Sequence, residues 1–262
     1  MRFRASRRSG ILDATLGSRP LRLLLSVSLL AVGSVMVAPA ADAVSPAPVS
    51  LGTADPFAIL AGTAITDVPN SVISGDVGLS PGTGAAIGVT CSEVSGTIYS
   101  VDAGGPLPCR VTDPGLLTTA KNDLTAAYTD VAGRTPVTTV PTELGGTTKI
   151  PGVYDSAATT FGITAGAGPL ILDAEGDPNG VFIFEMESAA TGLTAGPGSQ
   201  VQLTGGAQAC NVFWRLTSAT IDTTAVFKGN ILALTSITVN TGANVEGRLL
   251  ARNGQVSLDQ NT

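Results

Sequence analysis

Apolar and polar positions alternate along the last eighty residues in short units that return at a regular interval. Four apolar quartets open successive segments: Val181-Phe182-Ile183-Phe184, Val212-Phe213-Trp214-Arg215, Ile231-Leu232-Ala233-Leu234 and Leu249-Leu250-Ala251-Arg252. The last three begin at Val212, Ile231 and Leu249, a nearly constant step. Between them fall the triplets Val201-Gln202-Leu203, Ala219-Thr220-Ile221, Ile237-Thr238-Val239 and Val256-Ser257-Leu258, and Leu170-Ile171-Leu172 precedes Val181 in the same way. Side chains of a strand alternate between its two faces. The outer members of each triplet therefore point inward, and Gln202, Thr220, Thr238 and Ser257 point to solvent as one column. A repeat this short with no helix inside it predicts an all-β fold, a parallel β-solenoid of stacked coils. Gly229, Gly247 and Cys210 fall in one corner column in this register. Because such a corner admits only small side chains, Cys210 is expected to be a buried free thiol.

One stretch follows a different period. Leu117, Ala120, Leu124, Ala127, Tyr128 and Val131 share a face at helical spacing, with Asp113 to cap the start, Pro114 in the first turn and Gly133 to end it. Residues 114–132 make a rod of about 28 Å, enough to cross about six coils at ~4.8 Å each. The helix is expected to lie along the solenoid and cover one flank, with the outward-facing Ile171 as part of what it covers.

Residues 1–43 stand apart from the fold. Six Arg fall between Met1 and Arg22, then comes the apolar run Leu21 to Val37, then Ala41-Asp42-Ala43. That is the order of a secretory signal peptide with its cleavage site, and it predicts a secreted, extracellular protein. A retained membrane anchor is the alternative reading. Ser6-Arg7-Arg8 leaves twin-arginine export open, although the apolar run starts far downstream. The leader holds six of the 14 basic residues and two of the 20 acidic ones, so positions 44–262 carry 8 against 18, a net −10. Such a chain repels nucleic acid and anionic membranes, so neither is expected as a partner once the signal is cleaved. Residues 44–50 read as a flexible lead and 51–262 as one domain. In an exported protein, Cys91 and Cys109 are expected to form a disulfide worth roughly 3 kcal/mol for a loop of this size; two unpaired thiols are the alternative.

Candidate chemistry is sparse. Asp173-Ala174-Glu175-Gly176-Asp177-Pro178-Asn179-Gly180 places acidic groups on alternate residues, but its spacing fails a calcium loop, and Asp-Pro and Asn-Gly are turn formers in their own right. Lys228 and Glu246 share a column, with Ala209 expected beneath them, and no second carboxylate joins the pair. The chain contains no His. No catalytic residue, metal or cofactor is expected, and the protein is read as not an enzyme.

Threonine carries more information. Thr204, Thr223 and Thr241 stand at a constant distance before Val212, Ile231 and Leu249, one per coil. Thr191-Gly192-Leu193-Thr194, Thr241-Gly242-Ala243-Asn244 and Thr63-Ala64-Ile65-Thr66 share the form Thr-small-x-Thr/Asn. Thr suits solvated strands anyway. Columns of short hydroxyls that avoid Lys and Glu ask for more, because those charges normally protect a β surface from association. Here the sequence resembles the bacterial and fungal ice-binding proteins of the DUF3494 type. The likeness rests on Leu51 to Gly62, Gly75 to Gly82, Pro151 to Tyr154, Gly176 to Phe184, Gly206 to Trp214 and Gly229 to Thr238. It implies a discontinuous solenoid of triangular section with a helix packed alongside, in which N-terminal segments complete coils made by C-terminal ones. It also implies adsorption to an ice crystal surface and its ordered water through one flat Thr-rich face, and the protein is expected to act as a monomer. Carried onto this chain, that face is expected to use Thr191, Thr194, Thr220, Thr223, Thr238, Thr241 and Asn244. Thr223-Thr224-Ala225-Val226 departs from the motif, so the array is incomplete. A secreted or cell-surface structural or adhesion module on the same solenoid is the alternative.

Overall fold

A computed structural model of the protein describes residues 45–186 and 192–262. The expected signal segment 1–43 and Thr191 lie outside them. The chain from residue 45 winds through three parallel β-faces in turn, one short strand on each before a corner. The first face is a ten-stranded sheet in the order Arg110–Thr112, Ile98–Ser100, Asp76–Leu79, Phe57–Ala61, Leu249–Ala251, Asn230–Ala233, Val212–Leu216, Phe182–Glu185, Gly152–Ser156 and Val137–Val140. The second has six strands: Ile65–Val68, Val256–Asp259, Ile237–Val239, Ala219–Ile221, Leu193–Ala195 and Phe161–Ile163. The third comprises Thr148–Lys149, Leu170–Asp173 and Val201–Thr204, then the pair Val226–Lys228 and Asn244–Glu246, linked by a bridge between Gln200 and Val226.

The solenoid is discontinuous. Ile59 and Leu60 pair with Leu249 and Leu250, and Ile65 to Val68 pair with Val256 to Asp259. The first ordered strands thus stack on the last ones, from the opposite end of the chain.

The helix runs Pro114–Ala132 as expected, with the Asp113 carboxylate accepting from Leu116 N at 2.8 Å. Its apolar face packs on Leu60, Leu250, Leu232, Phe213, Ile183 and Val153, the outward residues of six strands of the ten-stranded sheet. Tyr128 OH donates to Leu216 O, and Lys121 Nζ donates to Ala251 O and Arg252 O. The guanidinium groups of Arg215 and Arg252 lie 4.6 and 4.7 Å from the centre of the Tyr128 ring. Ile171 is not under this helix. It sits on the third face, opposite Thr148 and Gln202.

Where the ten-stranded sheet lies between the helix and the solenoid core, its strands Phe182–Glu185, Val212–Leu216, Asn230–Ala233 and Leu249–Ala251 read as nearly continuous apolar runs. That removes the alternation that would pin their register. Phe182, not Val181, pairs with Val212, and Ile231 pairs with Trp214 rather than with Val212; the step from Ile231 to Leu249 is as expected. Earlier coils are longer, since Gly152, Phe182 and Val212 are successive partners. Val201-Gln202-Leu203 accordingly lies on the third face, and Leu193-Thr194-Ala195 takes the place expected for it beside Ala219-Thr220-Ile221. Gly229 and Gly247 do share a corner, where a Cβ on Gly247 would run into the carbonyl of Gly229. Cys210 is out of that column, in the turn Ala209–Asn211, and its thiol is exposed rather than buried.

The interior is a single apolar column from coil to coil, centred on aromatic rings. Tyr154, Phe184, Trp214 and Phe227 follow one another at centroid distances of 5.3, 4.1 and 5.2 Å, and Phe161 meets Phe184 and Trp214 edge-on. Residues 45–50, expected as a lead, make defined contacts: Val181 N donates to Ser45 Oγ, Arg134 donates to the carbonyls of Ala47 and Pro48, and Val49 is buried under the helix.

Cys91 and Cys109 are disulfide-bonded, with Cα atoms 5.6 Å apart. Titration of the native, non-reduced protein with a thiol reagent should therefore modify one cysteine per chain, Cys210, and two more only after reduction. A count of three without reduction would rule the bridge out.

At the junction of N- and C-terminal coils, Ser71 Oγ donates to Asp67 Oδ1 and accepts from Asn261 N, while Ser71 N donates to Glu93 Oε1. Asp67 Oδ2 is buried without a partner among the described residues. Burial, then the neighbouring Glu93 and Asp259 carboxylates, push Asp67 up from 3.8 to about 6 despite the hydrogen bond from Ser71. Burial also pushes Glu93 upward but is outweighed by hydrogen bonds from Thr90 and Ser71, which hold it below its ordinary value. The folded state thus binds the Asp67 proton more tightly than the unfolded chain, so this group's contribution to stability is lost as pH rises from about 4 to 6. Asp67→Asn, which resembles the protonated form, should raise the melting temperature by about 3 °C at pH 7.5 and by much less at pH 4.5. An equal shift at both values, read by circular dichroism, would show that the Asp67 proton is not the cause.

Candidate functional site

The six-stranded face is built from triplets whose outer residues are core and whose middle residue is not. Phe161 and Ile163, Leu193 and Ala195, Ala219 and Ile221, Ile237 and Val239, and Val256 and Leu258 are all buried. Between them the ladder places Gly162, Thr194, Thr220, Thr238, Ser257 and Thr66 in one outward column. Backbone hydrogen bonds continue the ladder to either side. Leu193 N donates to Ser218 O, Ala219 N to Ser236 O and Ile237 N to Gln255 O, which sets Gly192, Ser218, Ser236 and Gln255 along one flank. Asp222 N donates to Ala195 O and Asn240 N to Ile221 O, which sets Gly196, Asp222 and Asn240 along the other, with Asp259 following. The face is therefore three residues wide, mostly Gly, Ser, Thr, Asp and Asn, and carries no Lys or Arg at these positions.

Its hydroxyls fall into two kinds. Those of Thr194, Thr220 and Thr238 make no hydrogen bond among the described residues, so their donor and acceptor capacity is directed at solvent. Thr223, Thr241 and Asn244 are committed inside the protein. Thr223 Oγ1 donates to Asp222, Thr241 Oγ1 donates to Asp259, and Asn244 Nδ2 donates to Thr262 Oγ1 at 2.8 Å. Hydrogen bonds from Asn240 and from the backbone of Thr223 hold the Asp222 carboxyl below its ordinary value.

The structure thus divides the residues expected from the motif. Thr194, Thr220 and Thr238 stand in adjacent coils of one column. Thr223 and Thr241 lie one corner further on, where Thr224 N donates to Thr241 O, and Asn244 opens a strand of the third face. Two positions outside the expected set, Ser257 and Thr66, extend the column. The alternation Ile65-Thr66-Asp67-Val68 is a signal for the second, but only the pairing across the discontinuity puts it beside Ser257. Gln202 and Thr204 leave the face altogether, since both belong to Val201–Thr204 on the third face.

The other candidates resolve into local structure. The Asp173 and Asp177 carboxylates accept from Glu175 N and Asn179 N, closing two turns at a corner. Lys228 and Glu246 form the exposed ion pair that their shared column predicted, and Gln202, rather than Ala209, lines the cleft beside them.

Comparison with known proteins places this architecture. A profile described as ice-binding-like matches residues 59–262. The chain belongs to the ice-binding-like family. An ice-binding protein of Flavobacterium frigoris (strain PS1) is 43% identical over 218 residues, covering 82% of this chain and 75% of that protein. One of a Colwellia species is 40% identical over 234 residues, covering 88% and 86%. Among solved structures, the DUF3494 domain of Shewanella frigidimarina ice-binding protein 1 aligns with a TM-score of 0.73 at 35% identity, over 83% of this chain and 97% of that one. The stacking of residues 57–68 on 249–259 is the discontinuity that the resemblance implied and that periodicity alone could not reach.

Proposed function

We propose that the protein binds ice through the six-stranded face, shapes growing crystals and inhibits their recrystallisation. The observation that carries this reading is the column Thr194, Thr220, Thr238 with free hydroxyls, extended by Ser257, which accepts from Gln255 Nε2, and by Thr66, without a long charged side chain. Thr223, Thr241 and Asn244 belong to the rim of the same surface, and Thr191 joins it on the sequence motif alone. Coils repeat at about 4.8 Å and alternate side chains along a strand at about 6.7 Å. The result is a grid of short groups roughly commensurate with oxygen spacings in ice. Each Thr offers a hydroxyl that donates and accepts beside a methyl that restrains neighbouring water. Waters held on this grid join the crystal when it arrives, and many weak contacts made together on a rigid surface dissociate slowly. Rigidity matters because ordering a loose face on contact would cost entropy for each side chain fixed.

We further propose that the protein acts as an extracellular monomer, released from residues 1–43, with no membrane attachment and no enzymatic step. The leader pattern and the disulfide support export. The deciding experiment is growth of a single ice crystal in a solution of the protein: faceting and a freezing point below the melting point are expected. A crystal that grows as it does in buffer would sink the reading and return the solenoid to a structural or adhesive role.

A further inference from the structure

The outward columns of the six-stranded face stand two residues apart along each strand. Beside Thr220 and Thr238 the next column is therefore made by Asp222 and Asn240, with Gly196 before them and Asp259 after. Asn240 is the one amide side chain in it. Its backbone is fixed, since Asn240 N donates to Ile221 O and its carbonyl accepts from Ala243 N and Asn261 Nδ2. An amide side chain keeps its shape when its carbonyl and NH2 change places, so packing alone does not fix which of them faces which way. Asp222 decides it. Its Oδ1 accepts from Asn240 Nδ2 at 3.0 Å across adjacent coils, and also from Thr223 N at 2.7 Å and Thr223 Oγ1 at 3.3 Å. Those bonds hold the carboxyl below its ordinary value, so at neutral pH it is ionised and only accepts. Asp259, in the next coil, is engaged by Thr241 Oγ1 instead. Asn240 Oδ1 is left with no donor among the described residues, in the coil that carries the free hydroxyl of Thr238.

We propose that Asp222 is a positioning residue of the ice-binding face, fixing the Asn240 amide so that its carbonyl oxygen is a standing acceptor for ordered water beside Thr238. This deepens the ice-binding reading given above and rests on it. A loose amide presents donor and acceptor in turn, and loses that freedom when water orders against it. One already held by Asp222 loses little at contact. The same bonds give a charge its place on a face without Lys or Arg, because Asp222 Oδ1 is occupied by three donors of the protein itself.

The test compares the protein concentration that stops ice recrystallisation for the parent, Asp222→Ala, Asn240→Ala, the double variant and Asp222→Asn. Circular dichroism near the melting point of ice checks that each is folded. Asp222→Ala and Asn240→Ala should each raise that concentration by about threefold or more, the scale of one side chain left to be ordered at contact. The double variant should be no worse than Asn240→Ala, because Asp222 then has no amide to hold. Asp222→Asn, whose carbonyl still accepts from Asn240 and Thr223, should restore most of the activity. Parent-level activity in Asn240→Ala overturns the proposal, and so does a second loss in the double variant, which a purely structural role of Asp222 would produce. In the isotope-labelled parent, the Asn240 Nδ2 protons should shift with pH at the midpoint of the Asp222 carboxyl carbon, not at that of Asp259, the other carboxyl of the column. A different midpoint overturns the proposal with no variant needed. A parent without effect on ice sinks the ice-binding reading and this proposal together. An active parent with an equally active Asp222→Ala sinks the positioning role alone.

Discussion

Thr220→Tyr is expected to abolish crystal shaping and recrystallisation inhibition while leaving the fold nearly as stable as before. Thr220 is the middle of three free-hydroxyl threonines in adjacent coils, paired with Thr194 on one side and Thr238 on the other. A phenol there stands well above the plane of its neighbours and holds the ice lattice off both. Adsorption that depends on simultaneous weak contacts then falls by at least about tenfold, because the loss is shared by every contact the ring displaces. Little stability is at stake, since the side chain points out of a sheet whose core contacts come from Ala219 and Ile221. Thr241→Ala is the informative control. Its hydroxyl is spent on Asp259, so removing it should cost about 1 kcal/mol of stability and leave activity on ice largely intact. The two variants are compared by the gap between melting and freezing points, read on single crystals, and by thermal unfolding. If Thr220→Tyr shapes ice like the parent, or Thr241→Ala is the variant that fails, the face has been misplaced by a corner.

The largest stability effect is expected from Trp214→Ala. Trp214 is fully buried, stacks on Phe184 at 4.1 Å and 11°, touches Phe161 and Phe227, and donates its indole N–H to Lys228 O at 3.1 Å. Truncation opens a void between coils in a column where each ring rests on the next, and strands the Lys228 carbonyl. Losses of this type run to about 3–5 kcal/mol. At about 2–4 °C per kcal/mol for a domain of this size, the melting temperature should drop by about 10 °C or more. Trp214→Phe keeps most of the stacking and loses the hydrogen bond, so it should lie between the two. Activity on ice near the melting point should persist in whatever fraction stays folded, because Trp214 faces the core from a different sheet. A Trp214→Ala protein that melts within about 3 °C of the parent would show that the aromatic column is not what ties the coils together.

Much of the architecture is legible in the residues alone. The helix comes out residue for residue, since its caps and its buried face are local signals that no tertiary contact can disguise. The triplets Ala219-Thr220-Ile221, Ile237-Thr238-Val239 and Val256-Ser257-Leu258 also fall correctly, because one face is buried and the other solvated, and a slip of one residue would turn every side chain over. The ten-stranded sheet shows the limit of that reasoning. Its central strands are buried on both faces and nearly continuously apolar, so the quartet at Val181 reads one position early and the step from Val212 to Ile231 reads two positions long. Those slips carry Cys210 into a corner it does not occupy and draw Gln202 and Thr204 onto a face they do not share.

The sequence by itself determined the stacked β-coils of the C-terminal half, the capped helix and a surface column of short hydroxyls. Through its resemblance to a family it also determined the kind of surface such a column serves. Only the tertiary structure decided which hydroxyls remain free. Thr194, Thr220 and Thr238 look no different in sequence from Thr223 and Thr241. Their availability depends on what the next coil brings opposite, and for Thr241 that is the Asp259 carboxylate. The extension of the column through Ser257 to Thr66 was likewise a tertiary decision. Pairing between opposite ends of the chain leaves no periodic trace, because the energy that selects it comes from burying two separate apolar surfaces against each other.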